Sequence, residues 1–488
     1  MAMHNAVRFI MGASTAAVIL SGCTSPFDAP ANTRTTTTQL TLPSEQVIPD
    51  SIYRLAESAN KMQVEAAVLI DSSPESYVRY ALFNSPVVEQ AYQKWRAASQ
   101  RLPQVKAMPD PRLNIGFFLN EVETRVGPQQ ARIGIQQTFP WIGKLRDRED
   151  AAAKGALAAW YQYQEAQLRV TEQVMIALHN LAYLDEAIRI TEENYALIVS
   201  FEEVVRARYR VGAGSHPELI RIQVAMGQLE DRVLGLKALR PAYVASLNAV
   251  LDRHPEADVP VGIKLANAVV SDGANQIAQM AHEWNPMLHS ISQQIEQARM
   301  QTQVARKDGY PDFTVGIDYT ITDEARDTLT PESGDDPIML GFGINLPIWR
   351  EKYDAKVRES IARRLSVSRE FDAQTNTISA QVYQVWFEHT DADRRVRLYE
   401  QSLIPKAQES LAASLAGFRT GDQEFLDLLD TERTLLEFSI AAQRARADRG
   451  KALATLNRLV GRAVPTIIAP TADSSPNHTD STPSEVKP

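Results

Sequence analysis

The chain repeats itself, and the repeat limits what it can fold into more than any other feature. Pro86, Pro111 and Gly116 recur as Pro286, Pro311 and Gly316, an offset of 200. After a longer loop in the second half the offset becomes 207, which sets Phe139-Pro140 against Leu346-Pro347, Gly214 against Gly421 and Leu219 against Leu426. A period of this size makes the protein two copies of one supersecondary unit.

Each unit opens with a helix, roughly 75–102 and 273–308, with Asn84 to Pro86 and Asn285-Pro286 near its start, since proline suits a first turn. A strand pair follows, 112–139 in the first unit and 312–346 in the second. Leu113, Ile115, Phe117 and Leu119 alternate with Arg112, Asn114, Gly116 and Phe118; Ile133 and Ile135 alternate with Arg132, Gly134 and Gln136. The second pair repeats the pattern, with Phe313, Val315, Ile317 and Tyr319 in its first strand and Ile338, Leu340, Phe342, Ile344 and Leu346 in its second. Period two with one apolar face marks β-structure, and all four strands read as about nine residues long.

Strands of that length with one apolar face suit a transmembrane barrel, because hydrocarbon tolerates no open sheet edge. A soluble sandwich with one wet face fits the same alternation. Four strands cannot close a barrel, so membrane-spanning strands would require several chains to share one. Pro140-Trp141 and Pro347-Ile348-Trp349 end the second strand of each pair, where an interfacial aromatic belt would sit; they also fit simple strand-to-helix corners.

Long helices are predicted from Gly143 to Arg208 and from Arg350 to Ala416, the second meeting a proline only at Pro405. Each would reach roughly 100 Å. Helices that long must pack against partners, with Ala151, Ala152, Ala153, Gly155, Ala158 and Ala159 allowing close approach. The returning helices, 216–250 and 422–460, are about half as long, and each stacked end to end on a shorter helix restores the length. The hairpins thus span 143–250 and 350–460. The expected fold class is α+β, mainly α, with four strands and long coiled helices.

The ends give the address. Arg8, an apolar run from Phe9 to Leu20 and then Leu20-Ser21-Gly22-Cys23 read as a secretory leader over 1–22, the run being too short to span a bilayer. The residues before Cys23 resemble a bacterial lipobox, whose cysteine is lipidated; a free or intermolecular thiol is the other reading. Cys23 is the one cysteine of 488 residues, so disulfides within the chain are excluded. One acyl chain holds only reversibly, which makes the lipid a tether. Residues 23–74 follow as an N-terminal linker, 75–272 and 273–461 are the two repeats, and 462–488 are a flexible tail. A net charge of −9 shows no basic excess for nucleic acid. His-Glu-x-x-His, Gly-x-Ser-x-Gly, a phosphate loop and cysteine pairs are all absent, so neither catalysis nor a cofactor is expected.

Two turns carry the sharpest signal. The first reads Tyr209-Arg210-Val211-Gly212-Ala213-Gly214-Ser215; the second reads Phe418-Arg419-Thr420-Gly421-Asp422. Glycine permits the left-handed turn that ends a helix, and Ser215 and Asp422 suit the caps of the helices that follow. With these turns, the strand pairs and the duplication, residues 75–461 resemble the TolC-like outer-membrane factors. The resemblance implies a homotrimer with a shared twelve-stranded barrel in outer-membrane lipid and a helical tunnel into the periplasm. It implies a periplasmic adaptor protein that meets the tips at Arg210, Gly212, Gly214, Ser215, Arg419, Gly421 and Asp422, and an inner-membrane efflux pump, of the RND type.

Asp427 and Asp430, three apart, share a helix face; in a pore they would form stacked acidic rings that favour cations. The resemblance makes them the gate. Ile220 and Gln223 hold the matching places in the first repeat. Asp323, Glu324, Asp327, Glu332, Asp335 and Asp336, with Glu121 and Glu123, could form a cation-attracting mouth or a merely solvated loop. Met280, His282, Met287 and His289 have the chemistry for copper or silver, but Asn285-Pro286 breaks their register, so no metal site is assigned. Met108-Pro109-Asp110-Pro111 and the segment from Phe139 to Leu145 look closest to the heavy-metal efflux branch. The function expected is a passive exit channel for metal cations or drugs. The alternatives are a type I protein secretion duct and a non-channel periplasmic lipoprotein scaffold.

Overall fold

A computed structural model of the chain describes residues 73–327 and 329–468. The leader over 1–22, Cys23, the linker up to residue 72 and the tail from residue 469 lie outside the described residues.

The opening helix of each unit is two helices. In the first unit α1 (Pro74–Asn84) and α2 (Pro86–Lys106) meet at Ser85, whose backbone is extended at φ −64° and ψ 121°. Proline has no N–H to donate and disfavours helical backbone in the residue before it, so the helix breaks just ahead of Pro86. The sequence reading of one unbroken helix is corrected accordingly. The second unit has the same break, between α5 (Ala274–Trp284) and α6 (Pro286–Lys307). There the extended residue is Asn285, whose side chain accepts from the Leu288 N–H at 3.1 Å and donates to the Leu459 carbonyl at 2.8 Å.

In the first unit β1 (Arg112–Thr124), β2 (Gly127–Phe139), the long helix α3 (Lys144–Arg210) and α4 (His216–Val250) follow. At 67 residues α3 spans about 100 Å. The second unit continues with β4 (Phe313–Thr322), β5 (Ile338–Ile344), α7 (Arg350–Leu398), α8 (Ile404–Thr420) and α9 (Phe425–Val460). The helix expected to run unbroken to Ala416 is interrupted by a π turn, Tyr399–Leu403. Pro405 has no N–H for the carbonyl four residues back, and one wide turn absorbs the mismatch.

α3 packs against α2 and α4, and α7 against α6 and α9, so two shorter helices share the length of each long one. α3 also packs on α6 and α9, which joins the two units. Tyr77, Leu178, Leu181 and Leu247 form the core of the first unit, and Ile277, Val382, Leu456 and Leu459 that of the second. Each such leucine contributes roughly 1.5–3 kcal/mol by burial. Beside the second core β3 (Ala268–Val270) pairs antiparallel with β6 (Thr466–Ile468). The predicted tail from residue 462 therefore begins as a strand; three residues carry too little periodicity to be read from sequence.

The four long strands form one antiparallel sheet in the order β1-β2-β4-β5. Their lengths are 13, 13, 10 and 7 residues rather than a uniform nine. Register makes the alternation collective. Leu113, Ile135, Ile317 and Leu340 lie in one row across the sheet, and Ile115, Ile133, Tyr319 and Ile338 in the next. Both rows, with Phe139, Phe313 and Ile344, are exposed in the single chain. The opposite face carries Arg132 and Asp318, ion-paired at 3.0 Å, with Gly134, Gly316 and Gly341. At the helix end of the sheet Trp141 stacks on Tyr310 at 5.1 Å and on Phe313 at 6.0 Å. No helix among the described residues is long and apolar enough to cross a membrane.

Met339 and Leu340 are chain neighbours on opposite faces, and Met339 sits opposite Asp318. Leu340→Lys should destabilise the assembled barrel by about 2–4 kcal/mol, seen as loss of heat-resistant oligomer on a gel. Met339→Lys should leave the oligomer intact. Equal losses would remove the assignment of the apolar face to lipid.

Candidate functional site

The far end of the helical hairpins brings the two glycine turns together. α3 ends at Arg210 and Gly212 takes a left-handed φ of +76°; α8 ends at Thr420 and Gly421 takes φ +89°. The sequence offset pairs Gly214 with Gly421, whereas the left-handed counterpart of Gly421 is Gly212. Gly214 serves close approach instead, since a Cβ there would lie 3.2 Å from the Tyr209 backbone nitrogen.

Ser215 caps α4 as expected, its hydroxyl accepting from the Glu218 N–H at 3.4 Å while the Glu218 carboxylate accepts from the Ser215 N–H at 3.3 Å. Asp422 is not a cap. Because α9 starts at Phe425, Glu424 occupies the cap position and makes no side-chain cap bond. The Asp422 carboxylate instead accepts from the Thr420 hydroxyl at 2.7 Å, and its N–H donates to the Gly417 carbonyl at 2.9 Å, closing the turn. Arg210 and Arg419 are exposed, with no ion pair among the described residues.

Under the turns lies a third core of Ile198, Phe201, Val205, Ile222, Phe418, Phe425 and Leu428. The Phe418 and Phe425 rings are 5.5 Å apart, one from each side of the second turn. Arg208 ties the two turns to each other. Its guanidinium lies 4.4 Å over the Phe418 ring, donates to the Phe418 carbonyl and donates to the Ala213 carbonyl at 3.3 Å. Sequence reasoning picks Arg210 and Arg419 and misses Arg208, because its contact joins residues 210 positions apart.

Phe425 and Leu428 put one face of α9 into this core. Asp427 and Asp430 lie off that face and are exposed, and neither carboxylate has an ion-pair or hydrogen-bond partner among the described residues. The matching α4 position Ile220 is exposed too, so one hairpin tip is acidic and the other is not. Two residues beyond Asp430, Glu432 is buried between helices, 4 % exposed. Burial pushes its carboxyl above the ordinary glutamate range, opposed by the neighbouring Asn194 amide and by the charge of Arg433. Among the described residues its Oε1 and the Asn194 Oδ1 have no hydrogen-bond partner.

The other sequence candidates resolve into packing and ion pairs. Met280 packs on the second core, the His282 ring nitrogen lies 2.7 Å from the Ser379 hydroxyl, and His289 stacks on Tyr161 at 5.1 Å. No group of three or more His, Cys, Asp or Glu placed to hold a metal ion occurs among the described residues. In the acidic loops Glu121 and Glu123 pair with Arg326, Glu332 with Arg125, and Asp336 accepts from the Tyr319 hydroxyl. These carboxylates tie the loops together.

The family model for outer membrane efflux proteins matches residues 78–251 and 277–462. The cobalt-zinc-cadmium resistance protein CzcC of Cupriavidus metallidurans is 22% identical over 373 residues, covering 74% of this chain and 82% of that protein. The outer membrane protein TolC of Vibrio cholerae is 22% identical over 422 residues, covering 82% and 92%. The crystal structure of the outer membrane protein VceC from Vibrio cholerae superimposes with a TM-score of 0.65 at 18% identity, covering 80% of this chain and 96% of that one.

The buried Glu432 makes the tip sensitive to pH. With its folded pKa raised, the folded tip holds the proton more tightly than the open one, so this residue favours the closed tip at low pH. That contribution is lost as pH rises from about 4.3, the free glutamate value, through the raised value. Hydrogen exchange of residues 425–436 should therefore show easier opening with rising pH, and Glu432→Gln should flatten the profile. An unchanged profile in the variant would sink the assignment.

Proposed function

The chain belongs to the outer membrane efflux protein family, and from that premise we propose how its own residues serve an outer-membrane exit channel. Members work as trimers with a periplasmic adaptor and an inner-membrane pump, so three four-stranded sheets make a barrel of twelve. The tunnel below it extends into the periplasm. The channel conducts passively, and the pump supplies the driving force.

The observation that carries this reading is the apolar band running in register across β1, β2, β4 and β5, on strands that continue into the long helices. A scaffold lipoprotein would have no use for an exposed sheet face of isoleucine, leucine and phenylalanine, because water penalises it at roughly 25 cal/mol per Å². The two tips form the adaptor-facing end. Arg210 and Arg419 are its exposed cations, while Gly212, Gly214, Ser215, Gly421 and Asp422 set the shape of the turns. Arg208 holds the two tips in one arrangement.

Asp427 and Asp430 form the gate. Around a threefold axis their unpartnered carboxylates stack as two acidic rings, whose repulsion is released when the tips part. Cys23 is the lipidated N-terminus and fixes the chain to the membrane beside its barrel. The pump is of the RND type. The substrate follows the relatives: CzcC is named for cobalt, zinc and cadmium resistance, and metal cations are the first class, with drugs the second.

Two measurements test the parts separately. Asp427→Ala with Asp430→Ala should raise single-channel conductance in planar bilayers and weaken cation preference; unchanged conductance and selectivity would remove the gate. Cys23→Ala should leave the protein in the outer-membrane fraction, since the barrel anchors it independently. Release into the soluble periplasm would instead favour the scaffold.

A further inference from the structure

Just beneath the sheet, α2, α3, α6 and α7 lie side by side in that order. A groove of about 880 Å³ runs along them and is lined by residues of all four. Only the concave side of a curved four-helix layer can bring both outer helices, α2 and α7, to one groove. On the channel reading, the concave side of this layer faces the lumen.

The lining is strongly biased in charge. Arg101 of α2, Arg148 of α3, and Lys356 and Arg363 of α7 face the groove against a single carboxylate, Glu359, and between them stand small alanines and four glutamines. Arg101 has no ion pair among the described residues. Glu359 pairs with Arg363 at 2.6 Å, and Asp308 behind the wall is shared by Arg148 and Lys356. Positive charge is therefore left over in each protomer, and the trimer repeats it three times around the lumen. The alanine run of α3, expected to serve helix packing, also does a second thing. Ala151, Ala152, Gly155 and Ala159 leave the groove open where longer side chains would fill it.

We propose that this groove is an anion-binding site on the lumen wall, taking phosphate- or carboxylate-bearing solutes as they pass from the tunnel into the barrel. Guanidinium groups supply charge-assisted hydrogen bonds to such oxyanions, and the glutamine amides add neutral donors. This rests on the channel reading and adds to it a charge class for solutes. An acidic tip and a basic collar in series would let a bare cation enter readily and oppose it near the exit, whereas an anionic solute or complex would be held at the collar.

The test is calorimetric titration of inorganic tripolyphosphate into the purified trimer in uncharged detergent. At about 20 mM salt, where screening is weak, about one tripolyphosphate should bind per protomer, and affinity should fall at least about tenfold at 0.5 M salt. Arg101→Gln with Arg363→Gln should weaken binding at low salt at least tenfold, while Arg101→Lys with Arg363→Lys should largely restore it. Each preparation is also recorded in planar bilayers. Conducting trimers that bind no tripolyphosphate, bind it equally in the glutamine variant, or bind it independently of salt overturn the collar alone. Failure to conduct by both the wild type and the Asp427→Ala with Asp430→Ala variant overturns the channel reading. If the glutamine variant does not assemble, the salt dependence of the wild type decides.

Discussion

Hydrocarbon offers no hydrogen-bond partner to a peptide group, and the rest of this architecture follows from that constraint. A lone chain leaves the outer edges of β1 and β5 unpaired, which lipid does not tolerate. It also leaves Leu119 at 95 % and Phe342 at 77 % exposure, which water penalises. Closing the sheet with two further copies resolves the first problem, and immersing the closed barrel resolves the second. The trimer is thus a condition for the strands to exist where they do. The helices below inherit its threefold arrangement because each strand pair runs directly into one of them.

That handover is where the chain spends its buried charge. Lys144 at the start of α3 is 4 % exposed and pairs with Asp312 at 2.8 Å, and the same Asp312 carboxylate accepts from the Trp141 N–H. Lys307 pairs with Asp147 at 2.8 Å from the other side. Breaking one partner of such a pair strands a desolvated charge, which costs several kcal/mol. The corner between barrel and tunnel is therefore stiff, and movement is displaced toward the tips. There the third core is small, the turns are held by backbone bonds, and Arg208 is the main polar tie between repeats.

Local order was legible in the sequence and long-range order was not. Alternation in Leu113 to Leu119 and Phe313 to Tyr319 depends on neighbours two residues away, so it announced both the strands and their apolar face. The row that joins Leu113 to Leu340 depends on register across four strands, which no single strand encodes. Pro86 and Pro286 were visible, yet whether proline starts a helix or splits one depends on whether the preceding turn has something to pack on. Ser85 and Asn285, buried at 4 % and 2 % exposure, show that it does. Asp422 misled because serine and aspartate are equally good caps in isolation; the second turn falls later in its repeat, with α8 running on to Thr420 and α9 starting only at Phe425, so the cap position goes to Glu424. Arg208, Glu432 with Asn194, and the strand pair β3 and β6 join residues far apart in sequence and left no local signal.

The two repeats are alike in fold and unlike in charge, and this difference gives the tube a direction. A symmetric duplication would place the same side chains at both tips, but the first carries Ile220 where the second carries Asp427. In the proposed gate only one hairpin per protomer would then contribute acid to the axis, giving the acidic rings threefold rather than sixfold symmetry. On that proposal opening would need to move only that hairpin, pivoting against the first through the Phe418 and Arg208 contact. The π turn at Tyr399–Leu403 lies on the same long helix, between the stiff barrel end and the tip. Sharp bends in long helices concentrate at prolines and π turns, so this is the place where the second hairpin would bend, whereas α3 is unbroken over its 67 residues.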